Sequence, residues 1–328
     1  MRIGTVGTNF VVSMFIDAVG MADGAEITAV YSRDAKTASG FAQRHSVKKE
    51  YSDRQAFLSD SDVDFVYVAS PNSLHYSWTK EALLAGRNVI CEKPFVSREE
   101  ELAELISLSR EKGLFLFEAL TIPYLPNYEL LKQSLHEIGV PRFAMLNFSQ
   151  YSSRYDAFLR GETPNNFNPA FSGGALMDLN YYNLCLILGI YGPPQDIAYF
   201  PNLAENGIDI SGALVMKYPG FIASCTACKD SASQNLVQIQ GEKGYVRAEA
   251  PASTLGSGLT VFTRDGTRSY NSQDKENVLY YEVTHFVEAF RGGDRGVCDK
   301  RLEEGLLAAR LLDKARKAAG IRFTADNQ

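Results

Sequence analysis

The sequence predicts a two-domain α/β protein, in which a parallel sheet precedes an α+β region built on an antiparallel sheet. Up to about residue 119, hydrophobic strand-like runs alternate with amphipathic segments, as in βαβ units. From about residue 195 to 270, short strand-like runs are separated only by turn signals, which favours antiparallel pairing. The 328 residues also exceed the size at which one core usually stops growing. We therefore predict domains at 1–119 and 120–328.

The local period of the apolar residues predicts each element. In the first domain it predicts strands at 2–6, 26–31, 63–69, 88–91 and 114–117. The segments between them have a helical period, which predicts helices at 10–19, 34–44, 73–85 and 98–111. In the second domain we predict a strand at 142–151, a loop rich in Asn, Pro and Gly at 161–174, and helices at 127–136, 175–188, 281–291 and 301–319.

Composition and charge narrow the class of protein. The net charge of -6 provides no electrostatic footprint for nucleic acid or an anionic membrane, and no apolar run approaches the length of a membrane span. Five scattered cysteines, with an apolar strand directly after Met1-Arg2, predict a cytoplasmic protein. The four histidines lack metal-ligand spacing. We therefore expect small-molecule partners, and neither nucleic acid, membrane nor metal.

The turn after the first strand occupies the position of a dinucleotide-binding loop. Such a loop needs the pattern G-x-G-x-x-G, and only Gly7 fits, since Asn9 and Val12 replace the other two glycines. Asn9 tolerates unusual backbone angles, is a good N-cap and could donate its amide to a phosphate. The helix start also presents free N–H groups to an anion. We predict that Gly7, Thr8, Asn9 and Phe10 bind the cofactor, and a purely structural turn is the alternative.

The end of the second predicted strand indicates which nucleotide is bound. NAD sites usually place an acidic residue there for the ribose 2′-hydroxyl, whereas here Ser32 and Arg33 follow the strand. Asp34 comes later and is typical of a cap for the next helix. Arg33, with Lys36 one turn on, suits a 2′-phosphate, which Arg binds in a planar fork. We predict that Ser32 and Arg33 bind the cofactor and favour NADP, with NAD possible.

Two further strand ends carry polar residues. Ser70, Pro71, Asn72 and His75 follow the 63–69 strand, where Asn72 and His75 could approach a ribose or the nicotinamide amide. The alternative is that they are ordinary loop and cap residues. All four are predicted to bind the cofactor.

Glu92-Lys93-Pro94 follows the 88–91 strand. It places a lysine at the carboxyl edge of the sheet, where open α/β sheets bind ligands. Pro94 biases Lys93 toward an extended backbone. A solvated Glu-Lys pair before a turn is the alternative. We predict that Glu92 and Lys93 contact the cofactor, and that Lys93 is also catalytic.

These motifs together resemble the Gfo/Idh/MocA oxidoreductases, which carry Ser-Pro-Asn-x-x-His and Glu-Lys-Pro after strands of the nucleotide-binding fold. The run GGALMDLNYY at 173–182 is also similar to that family. The resemblance covers essentially the whole chain. It implies a Rossmann-type N-terminal domain and a second domain with a large open, mostly antiparallel sheet, through which a homodimer or homotetramer would form.

The resemblance also implies the site residues. Lys93 matches the family's active-site lysine, Asp178 its helix aspartate, and Tyr182 the position held by His or Tyr. The chain looks most like the NADP-using dihydrodiol dehydrogenase and anhydrofructose reductase branch. It departs from the family in the glycine pattern and at Asn180, where the family usually has Gly.

The activity that the resemblance implies is hydride transfer between a nicotinamide and a carbinol or carbonyl of a sugar-like or dihydrodiol-like molecule. The expected substrate is a polyol, sugar or dicarbonyl. The alternative is a non-catalytic NADP-binding regulatory protein on the same fold.

The residues at the helix start allow this chemistry to be argued directly. Asp178 and Tyr182 are four residues apart, so both leave one face of a helix. Hydride transfer to or from a carbinol needs a group that exchanges the hydroxyl proton. Tyr at its usual pKa of about 10 is a poor base, but a nearby ammonium such as Lys93 lowers that pKa. We predict Lys93, Tyr182 and Asp178 as catalytic; a helix-start acid and a core tyrosine are the alternative.

Overall fold

The chain, described for residues 1–327 by a computed structural model, divides into two compact units. The first unit comprises Met1–Leu120 and Lys275–Leu306, and the second comprises Thr121–Asp274 and the chain from Leu307 onward. The sequence placed residues 275–306 with the second domain. Aromatic packing explains why they join the first: Phe286 stacks on Phe117 with ring centroids 4.6 Å apart, and Phe290 meets Phe65 at 5.0 Å.

The first unit contains a six-stranded parallel sheet in the order β3-β2-β1-β4-β5-β6. Its strands are β1 (Arg2–Val6), β2 (Glu26–Tyr31), β3 (Lys49–Tyr51), β4 (Phe65–Val68), β5 (Asn88–Glu92) and β6 (Leu116–Ala119). The intervening helices are α1 (Phe10–Met21), α2 (Ala35–Arg44), α3 (Arg54–Ser59), α4 (His75–Leu84) and α5 (Glu99–Lys112). This strand order is that of a dinucleotide-binding sheet, so the predicted Rossmann-type fold is confirmed.

Two elements of this unit were not predicted, namely β3 and α3. The strand β3 has only three residues, two of them charged, and lies at the edge of the sheet, so it has no apolar period to detect. The strand β6 also begins two residues later than predicted.

The second unit is built on an eight-stranded sheet in the order β14-β13-β12-β11-β7-β10-β9-β8. The pair β7 and β10 is parallel and the other neighbours are antiparallel, which confirms the predicted mostly antiparallel sheet. The strands are β7 (Pro141–Ser149), β8 (Asp196–Leu203), β9 (Asp209–Tyr218), β10 (Phe221–Cys228), β11 (Leu236–Gly241), β12 (Gly244–Ala248), β13 (Leu259–Thr263) and β14 (Gly266–Tyr270).

The helices after residue 120 are α6 (Pro126–Ser134), α7 (Tyr155–Leu159), α8 (Tyr181–Tyr191), α9 (Leu279–Gly292) and α10 (Arg295–Ala318). The short α7 was not predicted, and a π-helical turn at Leu176–Asn180 precedes α8 where one continuous helix was predicted. Within the part of the chain that the structure describes, no helix is long and apolar enough to cross a membrane.

Candidate functional site

The first turn depends on Gly7. Its φ of +112° is left-handed, and a Cβ at this position would lie 2.7 Å from the carbonyl oxygen of Ala69. A side chain at residue 7 would therefore force the ends of β1 and β4 apart. Gly7 therefore provides the tight turn that the first glycine of the G-x-G-x-x-G pattern provides. Val12, at the position of the third glycine, is buried.

Asn9 is the N-cap of α1, as the sequence predicted. Its side-chain Oδ1 accepts a hydrogen bond from the Val12 N–H, and its Nδ2 donates to the Ala69 carbonyl at 2.9 Å. The amide predicted for a phosphate therefore also links the first turn to the end of β4. Thr8 is half-buried, and Phe10 is 79% exposed. A tight glycine turn that leads into a helix N-terminus fits a dinucleotide, which the backbone N–H groups of α1 would hold.

The tip of β2 leaves Arg33 exposed. Asp34 is the N-cap of α2 and accepts hydrogen bonds from the Thr37 N–H at 2.7 Å and the Thr37 hydroxyl at 2.6 Å. These bonds hold the pKa of Asp34 below its usual value. Lys36 is also exposed, while Ser32 is half-buried and its N–H donates to Tyr51. Asp34 therefore acts as a helix cap, and Arg33 and Lys36 remain the candidates for a 2′-phosphate.

His75 connects two of the predicted strand ends. Its Nδ1 lies 2.9 Å from the carbonyl oxygen of Pro94 and its Nε2 lies 2.8 Å from that of Ser70. The side chain is 1% exposed, and burial lowers its pKa. His75 thus holds the turn at Ser70-Pro71-Asn72 against Glu92-Lys93-Pro94, and a direct cofactor contact by His75 stays a prediction.

Glu92 and Lys93 differ in their surroundings, although they are neighbours. Glu92 is the last residue of β5, is buried, and accepts a hydrogen bond from the Tyr67 hydroxyl. Burial raises its pKa. Lys93 is half-buried at the carboxyl edge of the parallel sheet, the edge at which such sheets bind ligands. The lysine is therefore the member of the motif that can reach a ligand.

Glu282 on α9 is a buried acid that sequence analysis missed. Its side chain is fully buried, and neither carboxyl oxygen has a hydrogen-bond partner among residues 1–327. It lies one turn before Phe286, which stacks on Phe117 of β6. Burial, followed by the charges of Glu92 and Glu118, raises the pKa of Glu282 well above its usual value. We infer that Glu282 keeps its proton to a higher pH than an ordinary glutamic acid does.

Replacing Glu282 by Gln is expected to change how stability depends on pH. The pKa of Glu282 is raised in the folded state, so the parent protein loses stability as the pH rises above about 4.3, where Glu282 ionises in the unfolded chain. The loss ends when the pH exceeds the folded-state pKa of Glu282. The free energy of unfolding of Glu282→Gln relative to the parent should increase as the pH rises from about 4.3 toward the raised folded-state pKa, by at most about 1.4 kcal/mol per unit of pH. Denaturant unfolding at several pH values measures it. Glu288→Gln, an exposed change on the same helix, is the control, and parallel curves for Glu282→Gln and the parent would contradict the inference.

Asp178 and Tyr182 lie at the junction of the π-helical turn and α8. Both are partly exposed, whereas the three residues between them are buried, so the two side chains share an accessible side of the segment. Tyr182 packs against Phe148, with ring centroids 6.0 Å apart. Single π-helical turns are frequent at functional sites. The predicted acid, Asp178, and the predicted phenol, Tyr182, thus lie on the same accessible side of this segment.

Asp209 secures the start of this segment. Its Oδ2 accepts hydrogen bonds from the Leu176 N–H at 2.6 Å and the Tyr199 hydroxyl at 2.7 Å, and the side chain is fully buried. Gly174 has a φ of +106°, and a Cβ there would lie 2.0 Å from Asp209 Oδ1. Burial raises the pKa of Asp209 to about 6. Gly174 is therefore required to let the buried Asp209 side chain reach the start of the helix.

Asn180, the departure from the family pattern, points into the protein. It is fully buried, its Nδ2 donates to the Cys225 carbonyl at 3.3 Å, and its Oδ1 accepts from Asn183 at 2.9 Å. Asn183 in turn donates to the Thr226 carbonyl. The substitution therefore fastens the helix to β10 and does not enter the exposed side that Asp178 and Tyr182 share.

Lys229 is a further residue that sequence analysis missed. It directly follows β10 and is 2% exposed, and its Nζ lies 2.6 Å from Asp178 Oδ2. A lysine among polar turn residues is usually a solvated one, so no local signal distinguishes it. Its burial and its partner, 51 positions away, depend on the tertiary fold.

Two family models match the chain, in separate ranges. A family model described as "Oxidoreductase family, NAD-binding Rossmann fold" matches residues 1–120, and the "GFO/IDH/MocA C-terminal domain" matches residues 131–247. The two matches cover more than half of the chain.

Individual proteins are similar over nearly their whole length. The chain is 33% identical over 327 residues to scyllo-inositol 2-dehydrogenase (NADP(+)) IolU of Bacillus subtilis (strain 168), covering 99% of each. It is 28% identical over 340 residues to trans-1,2-dihydrobenzene-1,2-diol dehydrogenase of Sus scrofa, again covering 99% of each. The structure of KijD10, a 3-ketoreductase from Actinomadura kijaniata in complex with NADP and TDP-benzene, matches with a TM-score of 0.83 at 22% identity, covering 97% of each chain. That match shows a shared fold.

Proposed function

Because this chain belongs to the Gfo/Idh/MocA family of NAD(P)-dependent oxidoreductases, we propose that it transfers a hydride between a nicotinamide and a carbinol or carbonyl carbon. The substrate is a sugar-like or dihydrodiol-like molecule, such as a polyol, a sugar or a dicarbonyl. The names of the inositol and dihydrodiol dehydrogenases support this class. We assign residues 1–119 to cofactor binding and residues 120–328 to substrate binding and oligomerisation, with residues 275–306 packing in the first unit.

The observation that carries the proposal is the character of the three candidate catalytic residues. Lys93 is a half-buried lysine at the ligand-binding edge of a parallel sheet, and Asp178 and Tyr182 are the accessible polar residues of an otherwise buried helix start. A core tyrosine, the alternative for Tyr182, would be buried, whereas Tyr182 is partly exposed.

The division of labour follows from proton chemistry. The bound nicotinamide supplies or accepts the hydride. We assign to Tyr182 the transfer of the proton at the substrate oxygen, and to Lys93 a hydrogen bond to that oxygen and the lowering of the phenol pKa by its positive charge. The same hydrogen bonds polarise a carbonyl when the reaction runs in the reductive direction.

A two-step experiment tests the function. Fluorescence titration with NADPH and NADH measures cofactor binding, and a screen of polyols, sugars and dicarbonyls with each cofactor measures turnover by nicotinamide absorbance. We expect turnover with at least one carbinol or carbonyl. Cofactor binding with no turnover on any of them would favour the alternative, a regulatory NADP-binding protein.

Replacing Arg33 by Ala is expected to weaken NADPH binding selectively. A charge-assisted bond to the 2′-phosphate contributes about 1.5–3 kcal/mol, so the NADPH dissociation constant should rise by roughly 10- to 100-fold. NADH lacks that phosphate, so its affinity should hardly change. Fluorescence titration measures both, with Arg44→Ala at the other end of α2 as the control. Equal losses for the two cofactors would refute the assignment of Arg33 and the preference for NADP.

We also propose a homodimer or homotetramer that forms through the large sheet. One face of that sheet leaves hydrophobic side chains exposed on β7, β8 and β10: Met145, Phe200 and Ile222, at 39%, 64% and 42%. Sedimentation equilibrium should give more than one chain per particle, and Ile222→Glu should reduce that number. A monomer at micromolar concentration would refute the proposal.

A cytoplasmic location completes the proposal. Cys91, Cys225, Cys228 and Cys298 are thiols in the structure, which supports a reducing compartment. Fractionation of the source cells tests it.

A further inference from the structure

Lys229 forms an ion pair whose two ends differ sharply in exposure. Its ammonium donates to Asp178 Oδ2 at 2.6 Å and to the carbonyl oxygen of Asn166 at 3.1 Å, and lies 4.9 Å from the ring centroid of Phe167. The Lys229 side chain is 2% exposed and that of Asp178 is 34% exposed. A molecule that approaches this pair from solvent therefore meets the carboxylate and not the ammonium.

Burial makes the pair difficult to break. An ammonium removed from water is costly unless a counter-charge and hydrogen bonds compensate it, and removal of one partner of such a pair is strongly destabilising. Protonation of Asp178 would remove the carboxylate that contacts the buried Lys229 ammonium, and Asp209, which also interacts with the Lys229 charge, is itself buried with a raised pKa. Asp178 is therefore held as a carboxylate and is poorly suited to exchange protons during turnover.

Lys229 also joins three segments of the second unit. Its side chain connects the end of β10 to the turn at Asn165–Phe167 and to the π-helical turn that carries Asp178. The Asn166 carbonyl that it bonds also accepts from the Gly174 N–H at 3.1 Å. The position of the ammonium is thus set by the Asn166 carbonyl as well as by Asp178, and the Asp178 carboxylate takes its orientation from the ammonium.

We propose that Lys229 is a positioning residue for the reaction, which holds Asp178 as an oriented carboxylate without touching the substrate itself. This rests on the proposed function. Asp178 then accepts a hydrogen bond from a substrate hydroxyl and leaves proton transfer to Tyr182, four residues further along the chain. The substrate that this arrangement recognises carries a hydroxyl donor beside the reacting carbon.

Lys229→Met tests the proposal by its effect on turnover. We expect the kcat to fall on the order of 10²-fold, the usual consequence of a misplaced substrate-orienting group, with NADPH affinity unchanged. Lys132→Met, which removes an exposed lysine from its ion pair with Glu129, is the control and should retain turnover. Normal kcat in a folded Lys229→Met variant would overturn the proposal.

A double-mutant cycle with Asp178→Asn separates positioning from general stability. If Lys229 acts through Asp178, Lys229→Met combined with Asp178→Asn should be no slower than Asp178→Asn alone, because the second change removes nothing further. Additive losses in kcat would show that Lys229 acts by another route and would overturn the proposal.

A third measurement does not depend on activity. The carboxyl ¹³C resonance of Asp178, identified by its absence from Asp178→Asn, should titrate at higher pH in Lys229→Met than in the parent. If Lys229→Met does not fold, Lys229→Arg keeps the charge and should titrate as the parent does, with most of the turnover retained. An Asp178 midpoint that is the same in Lys229→Met as in the parent, or that rises in Lys229→Arg, would overturn the proposal. A higher Asp178 midpoint in Lys229→Met than in the parent, together with no turnover by the parent on any substrate, would instead count against the proposed hydride transfer.

Discussion

Tyr182→Phe is expected to retain NADPH binding and to lose turnover by roughly 10²–10⁴-fold, which is the usual contribution of a positioned acid–base group. The change removes only the hydroxyl oxygen and leaves the ring against Phe148, so the helix start should fold normally. Steady-state kinetics with the best substrate from the screen, together with an NADPH titration, measures both effects.

Tyr191→Phe provides a matched control for this change. Tyr191 is the last residue of α8, its ring lies 4.7 Å from that of Phe221, and burial raises its pKa to about 12. Its hydroxyl has no role in the proposed reaction, so the variant should keep normal turnover. If Tyr182→Phe also keeps near-normal turnover, the proton comes from another group, and Lys93 becomes the leading candidate.

Lys93→Met is expected to lower turnover by about 10²-fold or more, because Lys93 is proposed to donate a hydrogen bond to the substrate oxygen and to lower the phenol pKa by its charge. The loss should alter the alkaline limb of the pH–rate profile, since that limb reports the coupled Lys–Tyr pair. A profile of kcat/KM between pH 6 and 10 measures it, and Lys80→Met, an exposed lysine paired with Glu104, is the control.

Combining the two changes tests whether Lys93 and Tyr182 act as one unit. The double variant should be little slower than the slower single variant, since groups that act together give non-additive losses. Losses that multiply would mean that the two residues serve separate steps, and an unchanged alkaline limb in Lys93→Met would remove the proposed coupling.

The order of strands and helices could be predicted because it is a local property of the sequence. An apolar side chain every second residue or every three to four residues is read within one window, and β1, β2 and β5 were placed within a residue of their observed ends. The same method missed β3, where burial is partial and charged residues dominate. It also could not detect that the Asp178 helix opens with a π-helical turn, because that depends on the Leu176 N–H binding the Asp209 carboxylate.

The sequence by itself determined the fold class, the motif order and the candidate residues at strand ends and at one helix start: Gly7, Arg33, Lys93, Asp178 and Tyr182. These can be recognised because strand ends and helix starts have local signals and the motifs have fixed spacings. Only the tertiary structure decided which of them are held by buried charges. Lys229 reaches Asp178 from 51 positions away, and the charges that raise the pKa of the buried Glu282, those of Glu92 and Glu118, lie more than 160 positions earlier in the chain. Burial and long-range pairing follow from how the elements pack, and the free energy of a charge depends on that packing more than on its neighbours in sequence.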